Sequence, residues 1–363
     1  MRFLHTSDLH IGKRLHEQPL IAQQRQMLSD LIRIARENTV DAMLIAGDIY
    51  DRAVPPIDAV DALDSFITEL ASHKIQVFII AGNHDSAERL DFGARIMSKQ
   101  NVHISGSALK HVKVSDEHGD LNIWLMPYMR TQAAEEALSA AKIDTNTRNI
   151  ILAHQFVTST AGPPEPGGSE VKIVGGIDAV DASLFERFDY TALGHIHRPQ
   201  SIGHKNMRYS GSPYRYSFDE CSHTKQAAIV DVKAKGDITL EYAALAPERD
   251  LIRIKCMLDE LPAQTAPRDA YVDVTLTDEE PIVDAITKVR DIYPNILHLT
   301  LDNKYTRNIG AVHTLSGSEV KAKTPQELFE GFFEEIHGVS LSESQRELVK
   351  QAMEAQSDEA CQT

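Results

Sequence analysis

Five short polar clusters in this 363-residue chain bring together side chains that ligate metals and move protons. They are Asp8-Leu9-His10, Gly47-Asp48, Gly82-Asn83-His84-Asp85, His154 and Gly194-His195-Ile196-His197. Each follows an apolar run that reads as a strand, and in α/β sheets ligand sites form at the carboxyl ends of strands. Each cluster alone is a weak signal. A single histidine after a strand is more often a core or surface residue, and an Asn-His pair can be a plain turn. Five such junctions in one chain are not explained as turns, and they are expected along one edge of one sheet.

The pooled donors are Asp8, His10, Asp48, Asn83, His154, His195 and His197. This mixture of carboxylate, amide and imidazole suits a borderline-hard divalent ion such as Mn²⁺ or Fe²⁺ better than a thiolate-seeking one. Seven donors are too many for one ion with an open position. They suit two ions bridged by one carboxylate, and paired ions ~3.5–4 Å apart are the usual machinery for phosphoester displacement.

The elements that must position these clusters can be read from periodicity. Residues 2–6 predict a short strand, Met27, Leu31 and Ile34 a helix, and 42–46 a strand. Val60, Leu63, Ile67 and Leu70 predict a second helix, and 77–81 another strand. This βαβαβ order predicts neighbouring parallel strands with helices packed against the sheet. Further strands are expected at 122–126, 149–153 and 190–193, with a hairpin over 226–244 turning at Lys235-Gly236-Asp237. The Gly/Pro-rich stretch 158–176 predicts a long loop. The pattern resets near Pro247: strands at 251–255, 271–276 and 296–301 and a helix at 281–292 make a small α/β module. Residues 303–323 read as a polar linker. Two capping boxes, Thr324-Pro325-Gln326-Glu327 and Ser342-Glu343-Ser344-Gln345, open a closing pair of helices. Leu328, Phe329, Phe332, Phe333 and Ile336 form an apolar stripe on the first, and Leu348, Val349, Ala352 and Met353 on the second.

Composition sets limits. A formal net charge of −16 argues against a generic duplex-coating protein, because such binding is driven by neutralising phosphates. Metal ions and a partner subunit remain as sources of positive field. Cys221, Cys256 and Cys361 are scattered and predict neither a disulfide framework nor a thiolate metal site. The opening MRFLHTSDLH has no apolar core of a signal peptide, and no run approaches the ~18 apolar residues of a membrane span. The expected home is a reducing cytoplasm, away from membranes.

In this order and spacing, DxH, GDxxD, GNHD, a lone His and GHxH resemble the calcineurin-like metallophosphoesterase superfamily. The wording around them is similar to the SbcD nucleases: His5 to Gly12, Ala46 to Asp51, Ala81 to Ser86, Leu193 to Arg198, then Tyr209 to Pro213 and Ser217 to Glu220. The close match runs through residues 1–225, with Tyr50 standing where a Phe is expected. The resemblance implies an α/β fold, an αββα metallophosphoesterase sandwich over 1–246. It implies a small α/β capping domain at 247–302 that helps select DNA, the linker 303–323, and helices at 324–363 that dock an SbcC-type ATPase. It further implies a metal-dependent DNA exonuclease and endonuclease processing ends and hairpins, most naturally with Mn²⁺. The assembly implied holds two copies of each subunit around a homodimer of nuclease cores.

The same resemblance implies roles at matching positions. Asp8, His10, Asp48 and His197 would hold one ion, and Asp48, Asn83, His154 and His195 the other. His84 would face the scissile phosphate, and Asp85 would either orient His84 or serve as a plain turn carboxylate. His5 is expected beneath the site, and the remaining ten histidines at ordinary surface positions. A phosphatase or cyclic-nucleotide phosphodiesterase of the same superfamily is the competing reading, against which the appended module and helix pair speak. A non-enzymatic scaffold with a degenerate site conflicts with the intact set of donors and His84.

Overall fold

A computed structural model describes residues 1–168, 179–309, 329–331, 333 and 340–350. The chain divides into two compact units, Met1–Ile252 and Arg253–Thr363.

The first unit is built on two six-stranded sheets. Its strands are β1 (Arg2–Thr6), β2 (Ala42–Ala46), β3 (Gln76–Ile80), β4 (Val102–Ser105), β5 (Lys110–Asp116), β6 (Gly119–Met126), β7 (Arg148–His154), β8 (Tyr190–Gly194), β9 (Gln200–Ile202), β10 (His204–Tyr209), β11 (Gln226–Val232) and β12 (Ile238–Ala244). One sheet runs β12-β11-β1-β2-β3-β4 and the other β9-β10-β8-β7-β6-β5. The run Ala-Met-Leu-Ile-Ala of β2 is buried at every position, as a central parallel strand must be. β1, β2 and β3 pair in parallel, with Thr6 opposite Ile45 and Ala46 opposite Ile80. In the second sheet β7 and β8 are parallel, with His154 opposite Gly194.

The inner faces of the two sheets share one core. Phe3, Leu44, Phe78, Ile80 and Val230 pack with Leu121, Ile123, Ile150, Leu152 and Tyr190. Each such side chain contributes roughly 1.5–3 kcal/mol when fully buried. Outside the first sheet lie the helices α1 (Ile21–Glu37) and α2 (Ile57–Ser72), which bury Met27, Leu31, Leu63 and Phe66 among others. Outside the second, Ala134 and Leu138 of α3 (Thr131–Ala140) pack on Met126, Ile151 and Leu193. The result is the helix–sheet–sheet–helix layering implied by the motifs.

Two expectations are corrected. The five clusters do not line one sheet: three follow β1, β2 and β3, and two follow β7 and β8 of the second sheet. After β4 the chain leaves the first sheet, and β6 pairs in parallel with β7 to build the second. Periodicity carries no record of such long-range pairings. On α2, Val60 is 45% exposed, because Ala59 takes the inward position one residue earlier.

In the second unit, β13 (Leu251–Cys256), β14 (Tyr271–Leu276) and β15 (Ile296–Leu301) form a three-stranded sheet in that order, with β14 and β15 parallel. The helix α4 (Ala285–Ile292) joins them, starting four residues later than the pattern suggested. Lys304–Ile309 is a short helix. Residues 343–350 are helical, and their capping box closes in both directions. The Ser342 N–H donates to Gln345 Oε1 at 2.9 Å, and the Gln345 N–H to Ser342 Oγ at 3.4 Å. The first capping box, Leu328, Phe332, Ile336, Ala352, Met353 and the loop segment 169–176 lie outside the described residues.

Candidate metal centre

The turns leaving β1 and β2 are laced together by their main chains. The Asp8 N–H donates to Gly47 O and the His10 N–H to Asp48 O, both at 3.0 Å. Asp8, His10, Asp48 and His195 all adopt positive φ, at 54°, 42°, 49° and 100°. Such conformations cost energy in non-glycine residues and persist where the surroundings over-determine them, commonly at functional sites. Two glycines let the loops approach closely enough. A Cβ on Gly194 would lie 1.9 Å from Ala46 O, and one on Gly82 would lie 2.1 Å from Asp48 Oδ1.

The donor atoms of all seven expected ligands converge on this spot. His10 Nε2 is 3.1 Å from His197 Nε2 and 3.6 Å from Asp48 Oδ2. His154 Nε2 is 3.4 Å from Asp48 Oδ2 and 3.1 Å from Asn83 Oδ1, which in turn is 3.0 Å from His195 Nδ1. Asp8, His10 and His197 offer donor atoms that all lie within 4.8 Å of one another, as do Asp8, Asp48 and His154. Separations near 3 Å match the ~3.0 Å edge between neighbouring ligands held ~2.1 Å from an octahedral divalent ion. Asp48 belongs to contacts on both sides, with His10 and with His154, as a bridging carboxylate must. Asp8, His10, Asp48, His154 and His197 are all at most 3% exposed, whereas Asn83 faces outward. Two carboxylates buried this closely require positive charge beside them. The residues therefore fit a pair of divalent ions.

A calcineurin-like phosphoesterase family model matches residues 1–199, which include every one of these donors. The chain belongs to the calcineurin-like phosphoesterase family. It is thus a hydrolase of phosphoester bonds, and the dinuclear metal centre such phosphoesterases use has its candidate ligands here. A second model, described as the type 5 capsule protein repressor C-terminal domain, matches residues 247–337. Over nearly its whole length this phosphoesterase is similar to the SbcD subunit of the nuclease SbcCD from Staphylococcus epidermidis. That relative is 28% identical over 374 residues, 96% of this chain and 97% of the relative. The same-named protein of Staphylococcus saprophyticus is 28% identical over 377 residues, 98% of each chain. Among solved structures, a dimetal phosphatase from Danio rerio is 14% identical, with a TM-score of 0.41 over 68% of this chain and 99% of its own.

The electrostatics of the phosphoesterase centre favour cations. Burial opposes charge on His154, but Asp48 outweighs it and lifts the imidazole pKa to about 9. Burial also works against the Asp48 carboxylate, which His154 and His10 nevertheless hold well below the usual range. His195 is lowered to about 3, first by burial and then by His154. Burial raises Asp8, whose Oδ2 accepts from Ser7 Oγ and whose Oδ1 accepts from the His195 N–H at 2.9 Å.

Around the donors stands a ring of orienting groups. The His154 Nδ1–H donates to Ala46 O at 2.8 Å, which leaves Nε2 as the donor toward the centre. His84 Nδ1 bonds to Asp51 O at 2.9 Å, while its main-chain N–H donates to Asp48 Oδ1 at 2.9 Å. Asp85 accepts from the main-chain N–H groups of Ile49, Tyr50 and Gly82 at 2.9–3.0 Å, tying the loop of Asp48 to that of Asn83. Sequence reasoning gave no role to Gln24, Glu220 or Lys225. Gln24 is fully buried and clamps the His10 turn, donating to His10 O at 2.7 Å and accepting from the Gly12 N–H at 2.9 Å. Glu220 Oε1 accepts from His197 Nδ1–H at 3.1 Å. His5 lies beneath the site, fully buried, bonded to Tyr190 OH at 2.9 Å and lowered to about 3 by burial. Of the histidines expected at the surface, His223 is instead 8% exposed.

Proposed function

We propose that this chain is a Mn²⁺-dependent DNA nuclease that opens phosphodiester bonds at a two-ion centre and works with an SbcC-type ATPase. The observation that carries the reading is the extent of similarity to SbcD subunits of the nuclease SbcCD, 96–98% of this chain, beyond the phosphoesterase core. A phosphatase sharing only the fold would share only that core. Asp8, His10, Asp48 and His197 would hold one ion, and Asp48, Asn83, His154 and His195 the other. Bound there, the ions supply positive charge for the phosphoryl oxygens and acidify water. The chain supplies the rest. Asp48 spans both positions, and the Asp85 carboxylate keeps the two loops that carry Asp48 and Asn83 in register. His84 donates from Nδ1–H to Asp51 O, so Nε2 remains to face the substrate, where the imidazolium form of the ring would hand its Nε2 proton to the leaving oxygen and be left neutral. Its half-buried position beside the outward-facing Asn83 fits a group that meets substrate.

Lys13, Arg14 and Arg52 line one cavity with Gly12, Pro56 and Asp58, and each already faces a carboxylate, Lys13 and Arg52 that of Asp51 and Arg14 that of Glu17. A homodimer of nuclease cores, the capping role of 247–302 and the docking of the ATPase by 324–363 belong to the same proposal, as does a cytoplasmic home. No helix among the described residues is long and apolar enough to cross a membrane.

The test assays hairpin and linear DNA beside bis(p-nitrophenyl) phosphate and a cyclic nucleotide, with Mn²⁺ and with the ATPase subunit added. DNA cleavage that requires Mn²⁺ is expected. Hydrolysis of the small esters with DNA left intact would install the phosphatase or cyclic-nucleotide phosphodiesterase reading in its place.

A further inference from the structure

We propose that Glu220 is a positioning residue that sets the tautomer and aim of His197, and through it the affinity of one of the two ion sites. The inference rests on the metal reading of the centre. Glu220 is fully buried. Its Oε1 accepts from His197 Nδ1–H at 3.1 Å, and its Oε2 meets Lys225 Nζ at 2.6 Å and Ser212 Oγ at 3.3 Å. Lys225, 2% exposed, also donates from Nζ to His197 O at 3.0 Å and to Ser212 Oγ at 2.7 Å. One ion pair therefore grips His197 at both ends, the carboxylate on the ring and the ammonium on the carbonyl.

This arrangement has a chemical consequence. A carboxylate can only accept, so it keeps a proton on Nδ1 and turns the Nε2 lone pair toward the ion position. That lone pair lies 3.1 Å from His10 Nε2, on the side of Asp8 and His10. A carboxylate partner also raises the basicity of the imidazole as a ligand. His154, by contrast, leans on a neutral main-chain carbonyl. The two ion sites thus receive different support, and only the one that includes His197 depends on Glu220. Fold stability is a weak reason for the pair, because burying an ammonium and a carboxylate costs desolvation that an apolar pair would avoid.

The experiment titrates Mn²⁺ calorimetrically into the ion-free full-length protein, its Glu220→Gln and Glu220→Asp variants, and His197→Ala. The wild type is expected to bind two ions. Glu220→Gln should weaken one of them by about 10–100-fold, the usual range for an outer partner of a metal-binding histidine. It should be the ion that His197→Ala also loses, with the other within about two-fold of wild type. Glu220→Asp keeps the charge beside Lys225 but withdraws from the ring, so it should weaken the same ion and remain measurable if the glutamine variant does not fold. Nitrogen-15 spectra of labelled histidine should show His197 held as the Nδ1–H tautomer in the wild type and released from it in both variants. Wild-type affinity for both ions in the variants, or equal weakening of both, would overturn the proposal. A wild type that binds fewer than two ions would instead bring down the metal reading, and this inference with it.

Discussion

Replacing His84 by Gln separates a group that acts on substrate from one that holds metal. His84 lies close enough to His10 and Asp48 for its imidazole to join a ligand set, and the substitution tells the two roles apart. Two contacts fix it: the main-chain N–H to Asp48 Oδ1, and Nδ1 to Asp51 O. The first survives any side-chain change, so the Asp48 carboxylate stays where it is. A glutamine amide can still reach a carbonyl such as Asp51 O. What disappears is a single ring nitrogen that can hand over a proton. Seven other donors remain for two ions, so both should bind with affinity near that of the wild type. Loss of one general acid costs ~10²–10⁴-fold in kcat, about 2.7–5.4 kcal/mol of barrier. Single-turnover cleavage of single-stranded DNA at saturating Mn²⁺ reads the first quantity, and calorimetric Mn²⁺ titration the second. An ion lost from the variant, or a rate within ten-fold of wild type, would refute the division of roles.

Gly194→Ala should weaken ion binding and lower stability by about 1–3 kcal/mol or more, since the added methyl meets an immobile main-chain oxygen at Ala46; an unchanged Tm would contradict this. The raised pKa of His154, about 9 against 6.5, means that the ion-free protein carries a proton there at neutral pH. Ion binding must expel it, so affinity should rise with pH up to about 9, with proton release detected in buffers of different ionisation heat. The stability that this charge pair gives the ion-free protein is fully present below about 6.5 and lost as pH rises through about 9. Deleting residues 324–363 should abolish co-elution with an SbcC-type ATPase subunit in size-exclusion chromatography and spare Mn²⁺-dependent cleavage of single-stranded DNA, because all seven proposed ligands lie between Asp8 and His197. Retained co-elution would move the docking element elsewhere.

The strands that carry ligands were legible because central parallel strands announce themselves. Ala42–Ala46 was read to the residue, since five apolar positions in a row between polar flanks fit no surface element. The hairpin at 226–244 was equally plain from its turn. The division into two sheets was not legible. It depends on β6 pairing with β7 and on β1 pairing antiparallel with β11, contacts that span over twenty and over two hundred residues. Asp85 shows the limit at a single residue. Its place after His84 suggested an orienting partner, but its oxygens take three main-chain N–H groups, and the contact on the His84 ring comes from Asp51.

Donors and their supports differ in legibility for a physical reason. An ion demands particular atoms, so its ligands must be His, Asp or Asn at strand ends, and those types at those places stand out. A supporting group has only to fill one hydrogen-bonding direction left open behind a ligand. Gln24 does this for the main-chain carbonyl of His10, from the helix α1, where its neighbours Gln23 and Gln26 look the same in sequence. Glu220 does it for His197 from 23 residues away, inside the Ser217 to Glu220 stretch, which is part of the resemblance to the SbcD nucleases but does not name His197 as a partner. Nothing local distinguishes a glutamate that is fully buried from one in water, and this buried carboxylate is tolerated because His197, Lys225 and Ser212 all donate to it. Burial is a property of the assembled sandwich, so such supports become visible only once both sheets are in place.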